Sequence, residues 1–168
     1  MVVVSRKPKR AALGVVVLVL LPVLGASLDA GNTASQTVTF EVRAVNEVSV
    51  SGNPDQLEIL TATAGSQPDA AVDATTTYSL TTNGRNRKLT AVLDSGLPPN
   101  VNLRVALAPM AGATSPGTVE LSSVAAADVL TGITSARGTG LGVRYTLTAD
   151  AAAGKMAPSI RVVKLTLH

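Results

Sequence analysis

Few residues in this chain have the types and spacing that catalysis requires. The 168 residues include no Cys, and the single His is the last residue, His168. Cysteine nucleophiles, thiolate metal sites, Ser–His pairs and multi-histidine sites are therefore excluded. The acidic residues are scattered, and no G-x-S-x-G, H-E-x-x-H or phosphate-loop motif occurs. We predict that the protein is not an enzyme and has no catalytic, cofactor-binding or metal-binding residue.

The strongest remaining ligand candidate is a pair of carboxylates. Asp69 and Asp73 lie four residues apart in the polar stretch QPDAAVDATT. Carboxylate oxygens bind Ca²⁺, but the ion takes six to eight oxygen ligands, and this stretch offers no further acid. A polar loop is therefore the preferred interpretation. The alternative function is an extracellular module that binds calcium or a polysaccharide. The glycine-rich stretch Arg137–Gly142 is a second feature that motivates this alternative. We interpret that stretch as a flexible approach to a hairpin.

Basic residues are concentrated at the start of the chain. The net charge is +3, and four of the 14 basic residues are Arg6, Lys7, Lys9 and Arg10. From residue 27 onward there are ten basic and eleven acidic residues. Nucleic-acid binding requires many clustered Lys and Arg side chains, so we predict none. The run Arg85–Lys88 is interpreted as a charged rim that protects a sheet edge, with an anionic surface polymer as the alternative ligand.

Residues 1–26 have the pattern of a secretory signal peptide. A cationic start is followed by an uncharged apolar run of 15 residues, from Ala11 to Gly25, and then by small residues. We place cleavage after Ala26, with Ala30 as the alternative. A membrane span needs about 20 residues, so an uncleaved anchor is the less favoured interpretation. We therefore predict general secretion of a bacterial protein that is secreted or held at the cell surface, with the membrane contacted only through the leader.

The rest of the chain alternates apolar and polar residues with the period of a β-strand. In segment 36–43, Val38, Phe40 and Val42 share one face while threonines, Glu41 and Arg43 share the other. Shorter or longer runs of the same kind predict further strands at 46–51, 57–59, 75–82, 88–94, 101–107, 119–121, 141–148 and 159–168.

Several local patterns carry more specific predictions. The Asn83-Gly84 turn between segments 75–82 and 88–94 predicts a hairpin. Residues 61–74 are small and polar and predict a long loop, whereas the Ala-rich stretch 124–131 predicts a short helical turn. In the last strand the apolar face changes between Val162 and Val163, which predicts a bulge or a crossing between sheets, with a fully buried strand as the alternative.

Eight or nine short strands separated by turn signals predict an all-β fold. The expected architecture is an antiparallel Greek-key β-sandwich, Ig-like in the broad sense and preceded by an N-terminal signal helix, with a barrel as the alternative. Tyr78 and Tyr145 alternate in phase with aliphatic residues and are expected in the core. The predicted organisation is a signal peptide at 1–26, a short linker at 27–35 and one sandwich domain at 36–168.

Sheet edges are the parts of such a fold that can act without a catalytic cleft. An edge exposes backbone donors and acceptors that an added strand can complete. The segment 33–42 (TASQTVTFEV) and the C-terminal strand can each pair within the chain, which is preferred, or with a neighbouring molecule. We therefore predict a structural or adhesive component of a bacterial surface. Its expected partners are further copies or other surface proteins, contacted through sheet edges.

A resemblance extends over the whole mature chain. It rests on the Lys- and Arg-led leader, the TVTFEV segment, the TTTYSLTTN and RKLTAVLD segments, the MAGATSPGTVELS stretch and the closing RVVKLTL strand. With these features the chain resembles small exported bacterial β-sandwich proteins of unassigned function, and more distantly fimbrial subunits. The resemblance implies a sandwich fold and a surface location, and it implies a role for no individual residue.

Overall fold

A computed structural model describes residues 33–168, and the predicted signal peptide and residues 27–32 of the predicted linker lie outside the described residues. Two units are distinguished, Met1–Phe40 and Glu41–His168. In the first unit, the described residues 33–40 form neither helix nor strand. No helix within residues 33–168 has the length and apolar character needed to cross a membrane.

The regular secondary structure of the second unit is almost entirely β-strand. One short 3₁₀ helix, Ala151–Ala153, accompanies nine strands. These are β1 (Asn46–Val50), β2 (Ala71–Asp73), β3 (Thr77–Thr82), β4 (Arg87–Leu93), β5 (Val101–Leu107), β6 (Thr118–Glu120), β7 (Ala127–Ile133), β8 (Ala136–Ala149) and β9 (Val163–Leu167).

The strands form two antiparallel sheets. The first has the order β1-β3-β8-β5-β6, and the second has the order β7-β4-β9. The 14-residue strand β8 organises the first sheet, because β3 and β2 pair with successive parts of one edge and β5 pairs with the other. The prediction of an all-β fold with antiparallel sheets is confirmed.

One apolar core receives side chains from both sheets. In β5, Val101, Leu103, Val105 and Leu107 are buried while the intervening residues are more exposed, as expected for a strand with one face on the core. Buried residues of β3, β4, β7 and β8 belong to the same cluster. Tyr78 and Tyr145 are both buried, and each lies in this cluster as predicted. Two sheets over a shared core are consistent with a β-sandwich.

The predicted hairpin of segments 75–82 and 88–94 is wrong, although both segments are strands. β3 pairs with β1 and β8, whereas β4 pairs with β7 and β9. The turn at residues 83–86 therefore carries the chain from one sheet to the other. Tyr78 and Leu80 of β3 and Leu89 of β4 are all buried, so stacking face to face removes these side chains from water. Edge pairing in one sheet leaves that apolar face uncovered.

The predicted helical turn at 124–131 is also wrong, because strand β7 occupies Ala127–Ile133. A helix of this length has little stability of its own. Pairing with β4 satisfies the backbone and places Val129, Leu130 and Ile133 in the core. Tertiary packing therefore overrides the helix propensity of the alanines. The predicted loop at 61–74 similarly contains a short strand, β2, which pairs with β8.

The glycine-rich stretch is part of β8 and is not a flexible approach to a hairpin. β3 pairs with β8 from Thr77↔Gly142 to Thr82↔Ala136, so Gly138 and Gly142 lie in the ladder and Gly140 lies at the register shift between them. A Cβ on Gly138 would lie 2.7 Å from Leu141 Cδ1 and 3.4 Å from Met110 Cβ. Any larger residue at 138 therefore displaces neighbouring side chains, which explains a glycine in the strand interior.

The last strand begins later than predicted. β9 starts at Val163, and its alternating residues Val163, Leu165 and Leu167 pack against the core. Ile160 and Val162 precede the strand and are exposed. The change of apolar face therefore coincides with the start of the ladder, and no bulge, crossing between sheets or fully buried strand accounts for it.

Candidate functional site

Segment 36–43, which alternates as regularly as strand β5, is not a strand. Residues 33–45 form no ladder, which overturns the predicted strand at 36–43. Val38, Phe40 and Val42 are 68%, 87% and 82% exposed, so the predicted inward face is in solvent. Alternation creates an apolar face, but a strand forms only when its backbone finds a hydrogen-bonding partner.

The side chain of Asn83 holds the C-terminal end of this segment against the sheet through two hydrogen bonds. Asn83 Nδ2 donates to Arg43 O at 2.7 Å, and Asn83 Oδ1 accepts from Val45 N at 2.8 Å. The backbone N–H of Asn83 also donates to Val45 O at 3.2 Å. The amide imitates a strand backbone, because it offers one donor and one acceptor in the same direction. It therefore fixes where the exposed segment leaves the sheet.

Replacing Asn83 by Ala is expected to lower the free energy of unfolding by about 1–2 kcal/mol, because two hydrogen bonds are lost. Urea denaturation followed by circular dichroism measures this loss. Asn53→Ala is the matched control, since Asn53 is exposed in a turn, and it should change stability by less than about 0.5 kcal/mol. Equal stabilities for the two variants contradict the assigned role of Asn83.

A groove of about 710 Å³ lies at the opposite end of β8 from Asn83. Its apolar lining includes Leu57, Ile59, Val101, Leu147 and Met156. Its volume falls in the range of about 300–1,000 Å³ that is usual for ligand pockets. The groove is therefore large enough and apolar enough to hold a ligand or a peptide segment.

Two extended segments flank the groove. Residues 56–60 and 156–159 line it, and neither segment belongs to a ladder. The predicted strand at 57–59 is therefore wrong, although Leu57 and Ile59 are half-buried and alternate with exposed neighbours as expected. Within the described part of the chain, no backbone–backbone hydrogen bond involves residues 56–60 or 156–159. Apart from Pro158, which has no backbone N–H, the residues of both flanks therefore have backbone donors and acceptors without a backbone partner.

Asp94 forms two hydrogen bonds with Val162, which lies between the second flank and the start of β9. Its Oδ1 accepts from Val162 N at 2.9 Å, and its backbone N–H donates to Val162 O at 3.0 Å. The hydrogen bond from Val162 lowers the pKa of the Asp94 carboxyl below its ordinary value of 3.8, with help from Ser95 and from the charge of Arg161. Arg161 itself donates from Nε to Gly96 O at 2.9 Å.

We expect this contact to weaken at acid pH. A lowered pKa means that the carboxylate stabilises the fold above about pH 4 and loses this effect as the pH falls through the folded-state pKa. In a two-dimensional NMR titration, the Val162 amide should shift with a midpoint below 3.8. The Asp94→Asn variant should show no such inflection. A midpoint at or above 3.8 in the unmodified protein excludes the proposed stabilisation.

The structure does not bring the candidate calcium ligands together. Asp73 is buried in β2, where its carboxylate accepts from Thr75 N and Thr75 Oγ1. Asp69 Oδ2 instead accepts from Thr61 Oγ1 at 2.7 Å. Among residues 33–168, no group of three or more His, Cys, Asp or Glu side chains could hold a metal ion. Each carboxylate therefore has a local structural role.

The basic run Arg85–Lys88 covers the end of the turn between the two sheets and the first two residues of β4. Lys88 Nζ lies 3.0 Å from Asp128 Oδ1, and both side chains are about half exposed. Arg87 is partly buried, and its Nε has no hydrogen-bond partner among the described atoms. The run is a charged corner of the fold, and an anionic polymer remains the alternative ligand that the sequence predicts.

The groove was missed because its parts are far apart in the sequence. The only signal was the alternation of Leu57 and Ile59, which also fits an ordinary strand. Nothing in the stretch 156–159 indicates that it lies along the same groove. The sequence predicts that segment 36–43 pairs within the chain, whereas its apolar side chains are exposed in the structure.

No protein-family model, curated protein or solved structure matches the chain. The resemblance to small exported β-sandwich proteins stays a prediction. A function must therefore be argued from the exposed segment, the groove and the sheet edges described above.

Proposed function

We propose that the protein is a non-enzymatic, exported structural or adhesive component of a bacterial surface, with a Greek-key, Ig-like sandwich that assembles through its sheet edges. The observation that carries the proposal is the exposed segment 36–43. It presents Val38, Phe40 and Val42 on one face, and the described structure gives it no ladder. A second strand can supply what the segment lacks.

Pairing with an added strand affects both the backbone and the apolar side chains of the segment. The new ladder pairs its backbone groups, and a neighbouring apolar surface covers its three side chains. Full burial of a Val or Phe side chain contributes about 1.5–3 kcal/mol. Three such residues are therefore a substantial source of affinity, and part of it offsets the cost of ordering the segment.

The sheets offer edges for this kind of pairing. β9 is outermost in its sheet and pairs on one side with β4. Its core-facing residues Val163, Leu165 and Leu167 are only half-buried. The edge carries Lys164, a residue type that natural proteins use to limit uncontrolled edge pairing. Such an edge supports selective contacts with a matching strand.

The proposed location rests on the leader and on the composition. Residues 1–26 combine a cationic start with a short apolar run, and the chain has no Cys that could serve as a lipid attachment site. A body of this size buries enough surface to fold without disulfides. These features support export by the general secretory route.

Assembly of the mature protein tests the proposed function. We expect residues 27–168 to form oligomers or filaments in light scattering after size exclusion and in electron microscopy. The triple variant Val38→Thr, Phe40→Thr, Val42→Thr keeps β propensity but loses the apolar face, and it should be monomeric. The matched triple Thr37→Ser, Thr39→Ser, Glu41→Gln changes the other face and should assemble normally.

The opposite results count against the proposal. A mature protein that stays monomeric at high concentration, with no filaments in native surface preparations, excludes the assembly function. Export is tested separately by cell fractionation and by mass spectrometry of the mature N-terminus. A full-length product confined to the cytosol excludes the proposed location.

A further inference from the structure

We propose that the groove is the acceptor site for an extended strand, and that its occupant is segment 37–43 of a second copy of the chain. This inference rests on the proposed function and names the surface through which assembly occurs. It rests on the fact that two flanks without ladder partners, residues 56–60 and 156–159, line the same groove together with apolar residues.

The shape and chemistry of the groove match a peptide in extended conformation. The backbone groups of both flanks have no backbone partners within the described residues, so a strand between them can form hydrogen bonds on either side. Val101 and Leu147 form part of an apolar floor beneath that strand. A compact apolar molecule covers the floor but leaves the backbone groups unpaired.

The exposed segment has the matching pattern. Its apolar residues Val38, Phe40 and Val42 recur at every second position, as Leu57 and Ile59 do on the first flank. Neighbouring strands place side chains of the same face next to one another. Inserted between the flanks, the three apolar residues face the floor while Thr39 and Glu41 face solvent.

The occupant must come from another molecule. Arg43 O is bonded to Asn83, which follows Thr82, the residue that pairs with Ala136 at the start of β8. The groove begins near Leu147, eleven residues further along β8, about 36 Å at the rise of a strand. The five residues from Arg43 back to Val38 span at most about 18 Å. A chain therefore cannot place its own Val38 in its own groove.

Disulfide trapping tests the proposed contact in the mature protein. The chain contains no Cys, so every cross-link arises from introduced residues. A Thr39→Cys protein is mixed with a Gln56→Cys or, separately, a Glu58→Cys protein and oxidised. Residues 39, 56 and 58 share the solvent face of the proposed ladder, at Cβ distances that permit a disulfide. Peptide mapping identifies the linked pair.

The acceptor control is Arg85→Cys, which is exposed at the other end of β8. We expect the cross-link from 39 to 56 or 58 to form at least about tenfold faster than that from 39 to 85, because only docking holds the thiols within bonding distance. Equal rates for groove and control positions, or no cross-link at the groove, overturn the inference.

A blocking variant provides an independent measurement. Met156 is 44% exposed and lines the groove, so Met156→Arg should obstruct the docked strand without unfolding the protein, and assembly should be lost. Val124→Arg is the control, because Val124 is 94% exposed and is not part of the groove lining. Circular dichroism confirms that both variants fold.

The results separate the two proposals. If wild type assembles and the Val38, Phe40, Val42 triple variant does not, while Met156→Arg assembles normally, the groove is not the acceptor but the proposed function stands. A wild-type protein that neither assembles nor cross-links contradicts both.

Discussion

Replacing Leu89 by Ala is expected to lower the free energy of unfolding by about 2–5 kcal/mol. Leu89 is 0% exposed and lies in the middle of the three-stranded sheet. It pairs with Leu130 of β7 on one side and Leu167 of β9 on the other. Truncation removes the buried side chain and leaves a cavity in close-packed surroundings that can collapse only partly.

Chemical denaturation measures this loss directly. Leu60→Ala is the matched control, because it removes the same atoms from a side chain that is 80% exposed. We expect the control to change stability by no more than about 0.5 kcal/mol. A loss below about 1 kcal/mol for Leu89→Ala is incompatible with its position in the core.

Stability is expected to fall between about pH 10 and pH 12 because of Tyr78. Its side chain is 0% exposed, and its hydroxyl donates to Ala108 O at 2.6 Å. Burial raises the pKa of Tyr78 from 10.0 to about 12. A raised folded-state pKa means that the stabilising contribution is complete below pH 10 and is lost as the pH rises through about 12.

Absorbance titration of tyrosinate measures this effect without interference, since the chain has two Tyr and no Trp. Burial, and then the Asp73 carboxylate, raises the pKa of Tyr145 as well, so the Tyr145→Phe variant isolates Tyr78. We expect one midpoint at about pH 12 in the folded variant and about 10 in denaturant.

Tyr78→Phe is the complementary variant. It should lose the alkaline dependence that Tyr78 causes and should be about 1–2 kcal/mol less stable at neutral pH, because Ala108 O loses its partner. A folded-state midpoint near 10 in the Tyr145→Phe protein shows instead that the Tyr78 hydroxyl is accessible to solvent.

Most of the strands of the core could be predicted from local pattern. Segment 101–107 alternates without interruption, and β5 occupies those residues with its four aliphatic side chains buried. Segments 46–51, 75–82 and 88–94 are likewise strands, with ends displaced by one or two residues. The positions of Tyr78 and Tyr145 in the core follow from the same alternation.

The candidate site was less accessible to such reasoning. Segment 36–43 alternates as regularly as 101–107, yet only the latter pairs in a sheet. The two flanks of the groove are separated by about a hundred residues in the chain. The Asn83-Gly84 turn signal is compatible both with a hairpin and with a crossing between sheets. Local sequence does not distinguish these cases.

The amino-acid sequence by itself determined which faces are apolar, where turns occur, and that the chain has no cysteine and one histidine. These are local properties, because side-chain type and backbone preference act over a few residues. The tertiary structure decided which strand lies beside which, and therefore which apolar row is buried and which stays exposed. Pairing is a competition among distant segments for the same backbone groups and the same core, and its outcome depends on the whole folded chain.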